Sequence, residues 1–519
     1  MQSFFKRAAA CCLLAGLLSG CTLTERLDSA GSSLSTVITG TQAEPATVSI
    51  AYYSAELVNP VTSASVINRI VCEALYEGLF CLNDSFEPEN VLCESYTADG
   101  THYTFVLKEG LKFSDGSDLT AEDVVYSYRL AKKTAASPYY NRASYIQNIS
   151  ASDSRTIQMT TTVPNSKFVR LLDMPIFKKG TESNTFSVGS GPFVPQKTDS
   201  GYDLVPNPNW QGGEITGVTR IQMMSTVRAD AVVSSFAAGD ISLTRAERIS
   251  DAPVTITGAV DVFQTPTTEM HYLGVRMSHP LLGNATFRRA LSASIDREML
   301  CRASLQTFAD PAVLPVNPQP AQVTEESKSG QLDEAVVLLN QMGISDTDGD
   351  GIAEYVNAAG QREPIRLTLL CNSENSFKNN VCSQLVTMFG QLGIQLTVNS
   401  VSFEAYQQAL SNGTFDLYYG DLVMTPDFDV RALLMTGGTL NYGRVADASL
   451  DNQILSVRNA SQDGLAEADQ AFGTYFLNTM PILPLAFERD QVILRSGLLK
   501  GYSPRPFQIF WEPGKWSLG

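Results

Sequence analysis

An acidic run at residues 346–351, with the sequence Asp-Thr-Asp-Gly-Asp-Gly, carries side chains that could bind a metal ion. Oxygen ligands at its first, third and fifth positions, with glycine at the sixth, match the beginning of a calcium-binding loop. The twelfth position is an asparagine instead of the bidentate glutamate, and Glu354 occupies the ninth. Two interpretations stay open: a solvated turn, or a weak structural calcium site held by Asp346, Asp348 and Asp350.

The motifs of common hydrolases are absent from the sequence. There is no G-x-S-x-G run to form a nucleophile elbow and no H-E-x-x-H pair to hold a catalytic zinc. The chain has only three histidines and no C-x-x-C pair, so a zinc site is not expected. We predict that the protein is not an enzyme and needs no cofactor. Paired carboxylates are easily found among 54 acidic residues, so a surface hydrolase stays open as an alternative.

Length and charge limit the kind of protein. A chain of 519 residues is too long for one compact core, so two or more lobes are expected. The formal net charge of −17 repels phosphate backbones, and we therefore expect no nucleic-acid partner. This charge says little about a small ligand, because a cleft can differ in sign from the surface around it.

The first residues are organised like a signal peptide. Two basic residues precede a short apolar stretch, 8–20, which is too short to span a bilayer. This stretch ends in Leu-Ser-Gly followed by Cys21, which resembles a bacterial lipobox. We predict that residues 1–20 are removed and that Cys21 is lipidated, since two acyl chains there would anchor the protein stably. An ordinary secretory leader is the alternative.

Residues 21–47 are rich in Ser, Thr, Gly and Ala and have no sustained apolar period, which is typical of a flexible tether. A coil of about 25 residues reaches roughly 25–30 Å. We therefore predict a soluble body tethered to the outer face of the bacterial cytoplasmic membrane. Six further cysteines could form disulfides there, but their pairing cannot be chosen from the sequence; they are Cys72, Cys81, Cys93, Cys301, Cys371 and Cys382.

The elements that must position any site alternate between strands and helices. Strands are predicted from apolar or alternating runs at 48–53, 103–107, 394–398 and 415–419. Helices are predicted from capping residues and apolar stripes, after Thr120, after Asn284, near 376–392 and near 403–411. Such alternation predicts α/β lobes.

Four ordered blocks along the chain resemble one protein family. They are Ala74–Phe80, Thr104–Val124, Gly189–Phe193 with Asn207–Trp210, and Tyr272–Val275 with Phe287–Leu291 and Ile295–Arg297. By these blocks the chain, from about residue 48 to 490, is similar to the solute-binding proteins of peptide and nickel importers, family 5 of the bacterial extracellular solute-binding proteins.

The resemblance implies an α/β, two-lobed periplasmic-binding-protein-like fold with an extra subdomain inserted in the first lobe. Ligand would bind between lobes that close by hinge motion. Carried over to this chain, lobe one comprises 48–82, 185–268 and 485–519, the inserted subdomain 83–184, and lobe two 269–484.

The resemblance also points to a binding site on lobe two. In peptide-binding relatives, an acidic residue just after a strand pairs with the ligand's ammonium, and Asp421 is the matching residue. A carboxylate in a closed cleft makes a charge-assisted hydrogen bond to an amine. The adjoining backbone of Tyr418, Tyr419 and Gly420 could receive a peptide as an added strand. The family's usual Trp before this acid is a tyrosine here, which leaves a plain loop carboxylate open as an alternative.

On lobe one, relatives contact the ligand backbone just after the first strand, where this chain has Tyr53, Ser54 and Ala55. The turn around Ser190 is also typical of the family, although its two glycines could simply permit the backbone path.

Taken together, the resemblance implies a lipid-anchored monomeric receptor that takes a small ligand, most readily a short peptide, to an ABC permease and its ATPase. Oligosaccharide or chelated metal are alternative ligands. Signalling without transport is a further alternative that the sequence cannot separate from delivery.

Overall fold

The computed structural model describes residues 47–519, except for positions 64, 227, 229–230, 247–248 and 250–257. The predicted signal peptide, the predicted lipidation site at Cys21 and nearly all of the predicted tether lie outside the described residues. Among the residues that are described, no helix is both long and apolar enough to cross a bilayer.

The first third of the described chain consists of short strands around three helices. Its strands are β1 (Val48–Tyr53), β2 (Glu77–Gly78), β3 (Phe80–Leu82), β4 (Pro88–Asn90), β5 (Cys93–Asp99), β6 (His102–Leu107), β7 (Ile146–Ala151), β8 (Thr156–Thr161) and β9 (Pro175–Ile176). Its helices are α1 (Val66–Leu75), α2 (Ala121–Lys133) and α3 (Tyr140–Ser144), with a 3-10 turn at Phe168–Leu171.

The next region adds longer strands. They are β10 (Phe193–Thr198), β11 (Gly201–Pro206), β12 (Ile221–Thr226), β13 (Leu243–Ala246) and β14 (Val260–Val275), with helix α4 (Ala231–Ala238) between β12 and β13.

The remaining chain alternates helices and strands. Its helices are α5 (Ala285–Ser294), α6 (Arg297–Met299), α7 (Glu325–Ser329), α8 (Leu332–Gln341), α9 (Ser376–Gly390), α10 (Phe403–Asn412), α11 (Arg431–Leu434), α12 (Ala448–Asn459) and α13 (Leu465–Thr479), with a π turn at Leu300–Ser304 and a 3-10 turn at Pro513–Lys515. Its strands are β15 (Ala309–Pro311), β16 (Glu354–Val356), β17 (Arg362–Pro364), β18 (Arg366–Asn372), β19 (Gln395–Val401), β20 (Leu417–Val423), β21 (Ile482–Arg495), β22 (Leu499–Lys500) and β23 (Ser517–Leu518).

Three sheets of four or more strands contain most of these strands, and the other eight strands of the described residues form two-stranded pairs. One has the order β1-β12-β11-β10, with β1 and β12 parallel, and a second is the antiparallel sheet β5-β6-β8-β7. The largest has the order β13-β21-β14-β20-β18-β19, and β15 pairs with β21. The long antiparallel strands β14 and β21 therefore lie at the centre of the largest sheet.

Two large hydrophobic cores define two lobes. The first core is built around β1, α1 and α2 and includes the sheet of β5 to β8. We call the region that packs around this core lobe one. The second, lobe two, is built around α5, α9, β18 and β20. Strand β21 contributes to both cores, with Val492 and Leu494 in the first and Leu483 and Leu485 in the second. The predicted two-lobed α/β fold is confirmed, and β14 with β21 forms the crossing between the lobes.

The predicted elements are found where capping and periodicity were clear. Helix α2 follows Thr120, whose backbone N–H donates to Asp123 Oδ2 at 3.0 Å, as a capping box requires. Helix α5 follows Asn284, whose Oδ1 accepts from the N–H of Thr286 at 2.8 Å. The apolar stripe of α9 is buried in the second core.

One strand boundary was predicted wrongly. The strand expected at 415–419 runs instead from Leu417 to Val423, because β14 pairs with it residue by residue as far as Glu269 opposite Val423. Asp421 therefore lies within the strand, opposite His271, and not in a loop after it.

The six cysteines of the described body are free thiols, and all but Cys81 are buried. Burial raises the pKa of the Cys81 thiol to about 11. At neutral pH this side chain is therefore an uncharged thiol.

Candidate functional site

A cavity of about 1120 Å³ lies between the two lobes. Lobe one contributes one face of α1 and the segment that follows β22, including Glu73 and Trp511. The other walls are the crossing strands at Thr267–Glu269 and Glu488–Asp490, and the end of β20 at Val423. The volume is near the upper end of the range for small-ligand sites, which is roughly 300–1,000 Å³.

Parts of the cavity wall are apolar and accessible. Val66, Val423 and Phe507 line it with 54%, 69% and 40% of their surface exposed. These side chains come from α1, β20 and the C-terminal segment. A ligand between the lobes could therefore cover apolar surface on both of them.

Asp421, predicted to bind an ammonium group, has a charged partner inside the protein. Its Oδ2 lies 2.9 Å from Nζ of Lys378, at the beginning of α9, and its side chain is 39% exposed. Two residues further on, Val423 lines the cavity. Asp421 thus lies two residues along β20 from the cavity wall, and the ammonium group of Lys378 balances its charge.

The neighbouring predicted residues belong to the core of lobe two. The Tyr418 and Tyr419 side chains are buried, and the Tyr419 carbonyl accepts a hydrogen bond from the Tyr406 hydroxyl at 2.6 Å. A Cβ at Gly420 would lie 2.5 Å from the Tyr272 ring, so only glycine fits there without a shift of that ring. The structure places these three residues in the packed sheet, and none of them lines the cavity.

A buried hydrogen-bond network that joins β14, β20 and β21 was not predicted from the sequence. His271 is fully buried, with Nε2 2.7 Å from Glu488 Oε1 and Nδ1 3.0 Å from the Tyr419 hydroxyl. Burial, the largest single influence, disfavours a charge on the imidazole, but the hydrogen bond to Glu488 and the nearby carboxylate charges together raise the pKa of His271. Glu488 lines the cavity, so this network reaches the ligand space.

Glu269, two residues before His271 on β14, lines the same wall. Burial, and then the charge of Glu488, raise the pKa of Glu269 to about 7 from its ordinary value of 4.5. The alternation of ionisable residues at 269 and 271, next to the apolar end of the strand, was the available signal. It could not be interpreted, because Glu488 joins them from a distant part of the chain.

Ser190 lies on the lobe-one side, where its hydroxyl bonds to a glutamate that lines the cavity. Its Oγ donates to Glu77 Oε2 at 3.1 Å, and Trp210 Nε1 donates to Oε1 of the same carboxylate at 2.9 Å. Burial raises the pKa of Glu77 to about 7 in spite of these bonds. The flanking glycines are needed because a Cβ at Gly189 would lie 2.1 Å from the carbonyl oxygen of Leu75. Ser190 itself is buried, whereas Glu77 and Trp210 line the cavity.

An ion network fixes the lobe-one end of the crossing strands. Arg245 on β13 contacts Glu73 Oε1 through Nη1 at 2.7 Å and Asp490 Oδ2 through Nε at 2.6 Å. Burial raises the pKa of Glu73, and the Arg245 charge opposes this. The network ties α1 to β13 and β21 on the cavity wall.

The residues predicted after the first strand lie at the carboxyl end of β1. The backbone N–H of Tyr53 donates to Asn68 Oδ1 at 2.8 Å, and the Ser54 hydroxyl lies 2.7 Å from that of Ser225. Ser54 and Ala55 are exposed. On this strand the residue that lines the cavity is Ala51.

The acidic run of lobe two gathers four carboxylates. Ligand atoms of Asp346, Asp348, Asp350 and Glu354 all lie within 4.8 Å of one another, and only Glu354 is buried. Several of these oxygens accept hydrogen bonds from the loop itself, for example Asp346 Oδ1 from the N–H of Gly349 at 2.7 Å. Such an oxygen set suits a hard cation such as Ca²⁺, and the calcium interpretation stays a prediction.

Comparisons with known proteins identify the family of the chain. Residues 87–442 match the family model of the bacterial extracellular solute-binding proteins, family 5. The chain is 28% identical over 294 residues to the glutathione-binding protein GsiB of Escherichia coli K12, an alignment that covers 50% of this chain and 54% of GsiB. The chain thus spans about half the length of the curated relatives it matches.

Solved structures share the fold. The ABC transporter substrate-binding protein CtaP of Listeria monocytogenes superposes with a TM-score of 0.69 at 19% identity, over 92% of this chain and 100% of CtaP. The oligopeptide-binding protein AppA of Bacillus subtilis, in complex with a nonapeptide, superposes with a TM-score of 0.57 at 20% identity, over 92% and 100%.

Proposed function

This chain belongs to family 5 of the bacterial extracellular solute-binding proteins, and from that premise we propose that it captures a short peptide between its lobes and delivers it to an ABC importer. The observation that carries the proposal is the cavity of about 1120 Å³, whose walls come from both lobes. A ligand that contacts both walls favours closure, because it gains contacts only when the lobes approach.

The peptide interpretation is supported by two relatives, one that binds glutathione and one in complex with a nonapeptide. It is also supported by the mixture of exposed apolar side chains and carboxylates on the cavity wall. A peptide carries apolar side chains, a backbone that can hydrogen-bond, and an ammonium group at one end.

We propose that the ammonium binds at the edge formed by β14, β20 and β21. Three carboxylates meet there, those of Asp421, Glu269 and Glu488, with one lysine, Lys378, and one imidazole, that of His271. Where Glu269 is ionised, above its raised pKa of about 7, negative charge exceeds positive charge whichever form His271 takes. A ligand cation would reduce the imbalance, and a carboxylate–ammonium hydrogen bond is stronger than a neutral one.

Within this group Asp421 keeps its predicted role as the direct partner of the ammonium. For this it must share its carboxylate with Lys378, which already holds Oδ2. Glu269, on the same wall of the cavity, is the second acceptor that the wall offers.

The remaining parts of the proposal concern the cell. Lipidation at Cys21 and a tether to residue 47 would hold a monomeric body at the outer face of the membrane, within reach of the permease and its ATPase. No covalent step is required of the protein, and nucleic acid has no part in the function.

The test is a thermal-shift titration of the purified protein against pooled di- to hexapeptides, oligosaccharides and metal chelates. A ligand at 100 times its dissociation constant adds about 2.7 kcal/mol of stability, which is readily seen as a higher Tm. Free peptides should raise the Tm, N-acetylated peptides should raise it less, and Asp421→Ala should reduce the difference between them.

The matched control is Asp333→Asn, an exposed aspartate in the first turn of α8 that does not line the cavity. It should leave the peptide response unchanged. A Tm shift with sugars or chelates and none with peptides would overturn the peptide assignment.

A further inference from the structure

A short segment of the predicted inserted subdomain, residues 165–167, contacts lobe two. Asn165 Nδ2 donates to Asp427 Oδ2 at 2.8 Å, and both residues are buried. The N–H of Ser166 donates to the Arg458 carbonyl at 3.0 Å, and its hydroxyl donates to the Val457 carbonyl at 2.7 Å. We call the residues 165–167, with their partners in lobe two, the clasp.

A charged pair completes the clasp at its outer side. Lys167 Nζ lies 2.7 Å from Asp469 Oδ1 on α13, with the lysine side chain 9% exposed and the aspartate 39%. Gln462 Nε2 also donates to the carbonyl of Ser166 at 2.9 Å. Each residue of the clasp segment is thus bonded to lobe two.

The segment is rigidly mounted on its own lobe. The Tyr103 hydroxyl donates to the Asn165 carbonyl at 2.8 Å, and the Tyr103 ring packs on that of Phe168 with centroids 4.7 Å apart. Both rings belong to the first core. A displacement of the clasp segment would therefore also displace the core of lobe one.

Behind the clasp, an aromatic column reaches the crossing strands. The Phe86 and Phe428 rings pack edge to face at 5.3 Å, and Phe428 packs on Phe487 of β21 at 5.9 Å. Phe86 and Phe428 have φ values of +57° and +51°, in the left-handed region that non-glycine residues avoid. Strained backbone of this kind persists where surrounding contacts over-determine it.

We infer that the clasp is a non-covalent connection between the lobes, in addition to the covalent crossings of β14 and β21, and that it limits how far the lobes separate. The inference assigns this role to the inserted subdomain. It rests on the proposed function only in that the lobes move relative to each other, since none of the clasp residues lines the large cavity.

The test uses the ligand-free full-length protein, so it does not depend on which ligand binds. Lys167→Glu and Asp469→Lys each place like charges together, and the double variant restores an opposite pair in reversed order. Small-angle scattering should give a larger radius of gyration for each single variant and the wild-type value for the double variant.

Amide exchange gives a second, local measurement. The Ser166 N–H, bonded to the Arg458 carbonyl, should exchange about tenfold faster or more in each single variant, as expected for loss of one charge-assisted hydrogen bond. The double variant should recover protection. Unchanged radius and unchanged exchange in folded single variants would overturn the inference, whatever the peptide titration shows.

If a single variant fails to fold, Ser166→Ala replaces it. This change removes only the hydroxyl bond to Val457, and faster exchange in the peptides covering 163–169 and 457–462 is then expected. Wild-type exchange in both peptides would equally overturn the inference.

Discussion

Two aspartates on one stretch of chain, Asp421 and Asp427, have opposite surroundings. Asp421 is partly exposed beside the cavity and faces one lysine, whereas Asp427 is buried in the clasp between Asn165 and Arg458. Carboxylates along the cavity edge outnumber the cations beside them. In the clasp, Asn165, Ser166 and Lys167 each bond to a group of lobe two. Under the proposed function, the cavity edge can therefore bind a ligand cation, whereas the clasp carboxylates already bond within the protein.

The largest expected effect is in the clasp. Asp427→Ala removes the buried carboxylate that accepts from Asn165 and leaves Arg458 with Asp429 as its remaining buried partner, and losing such a buried acceptor typically costs about 1–3 kcal/mol. Urea denaturation should show this as a lower free energy of unfolding. Asp469→Ala, at the exposed end of the same clasp, should cost only about 0–1 kcal/mol. Equal losses of unfolding free energy in Asp427→Ala and Asp469→Ala would contradict the expectation that the buried carboxylate contributes more than the exposed one.

The second effect is on pH dependence at the cavity edge. Because the pKa of Glu269 is about 7 in the folded protein and ordinarily 4.5, the folded state holds the extra proton between these values. The free energy of unfolding should therefore fall as pH rises through this window, by up to about 1.4 kcal/mol per unit for one group.

Glu269→Gln should flatten this slope, measured by denaturation at a series of pH values. Glu77 contributes a slope of the same sign, so the difference between variant and wild type is the quantity to compare. Glu334→Gln, on the exposed surface of α8, is the control. A slope unchanged by Glu269→Gln would show that its carboxyl is not protonated in the folded state.

The third effect sharpens the role of Lys378. If this lysine competes with a ligand ammonium for Asp421, Lys378→Gln should tighten the binding of free peptides by about tenfold, the value of one charge-assisted hydrogen bond. Isothermal titration with free and N-acetylated forms of one peptide measures the gain. Weaker binding in the variant would instead place Lys378 among the ligand contacts.

The smallest expected effect concerns the carboxylates of the acidic loop, which belongs to neither the cavity edge nor the clasp. With Ca²⁺ at a concentration equal to a dissociation constant of about 1 mM, the acidic loop at 346–351 would stabilise the protein by about 0.4 kcal/mol. A calcium-dependent rise in Tm that disappears in Asp348→Asn would support the site. An equal rise with Mg²⁺ in wild type and variant would mean nonspecific screening.

Much of the fold could be predicted because its signals are local. Capping at Thr120 and Asn284 and the apolar stripe of α9 each depend on residues a few positions apart, and these helices are present. The boundary of β20 could not be predicted in the same way. Gly420 and Asp421 favour a turn locally, and only pairing with β14 extends the strand through them.

The candidate site shows the same division. Asp421 was predicted from its resemblance to a family motif and stays a prediction, and the structure adds its lysine partner. The network of Glu269, His271 and Glu488 was missed because β14 and β21 bring it together across 217 positions of sequence. Charge imbalance at the cavity edge is a property of these three strands together.

The sequence by itself therefore determined the family, the α/β class and the helices with clear caps, since these depend on local periodicity and ordered motifs. The tertiary structure decided which carboxylates face the cavity, which are neutralised by a lysine, and which fasten one lobe to the other. The physical reason is that burial and the position of a counter-ion depend on strand pairing and packing between distant segments. Residue type alone fixes neither.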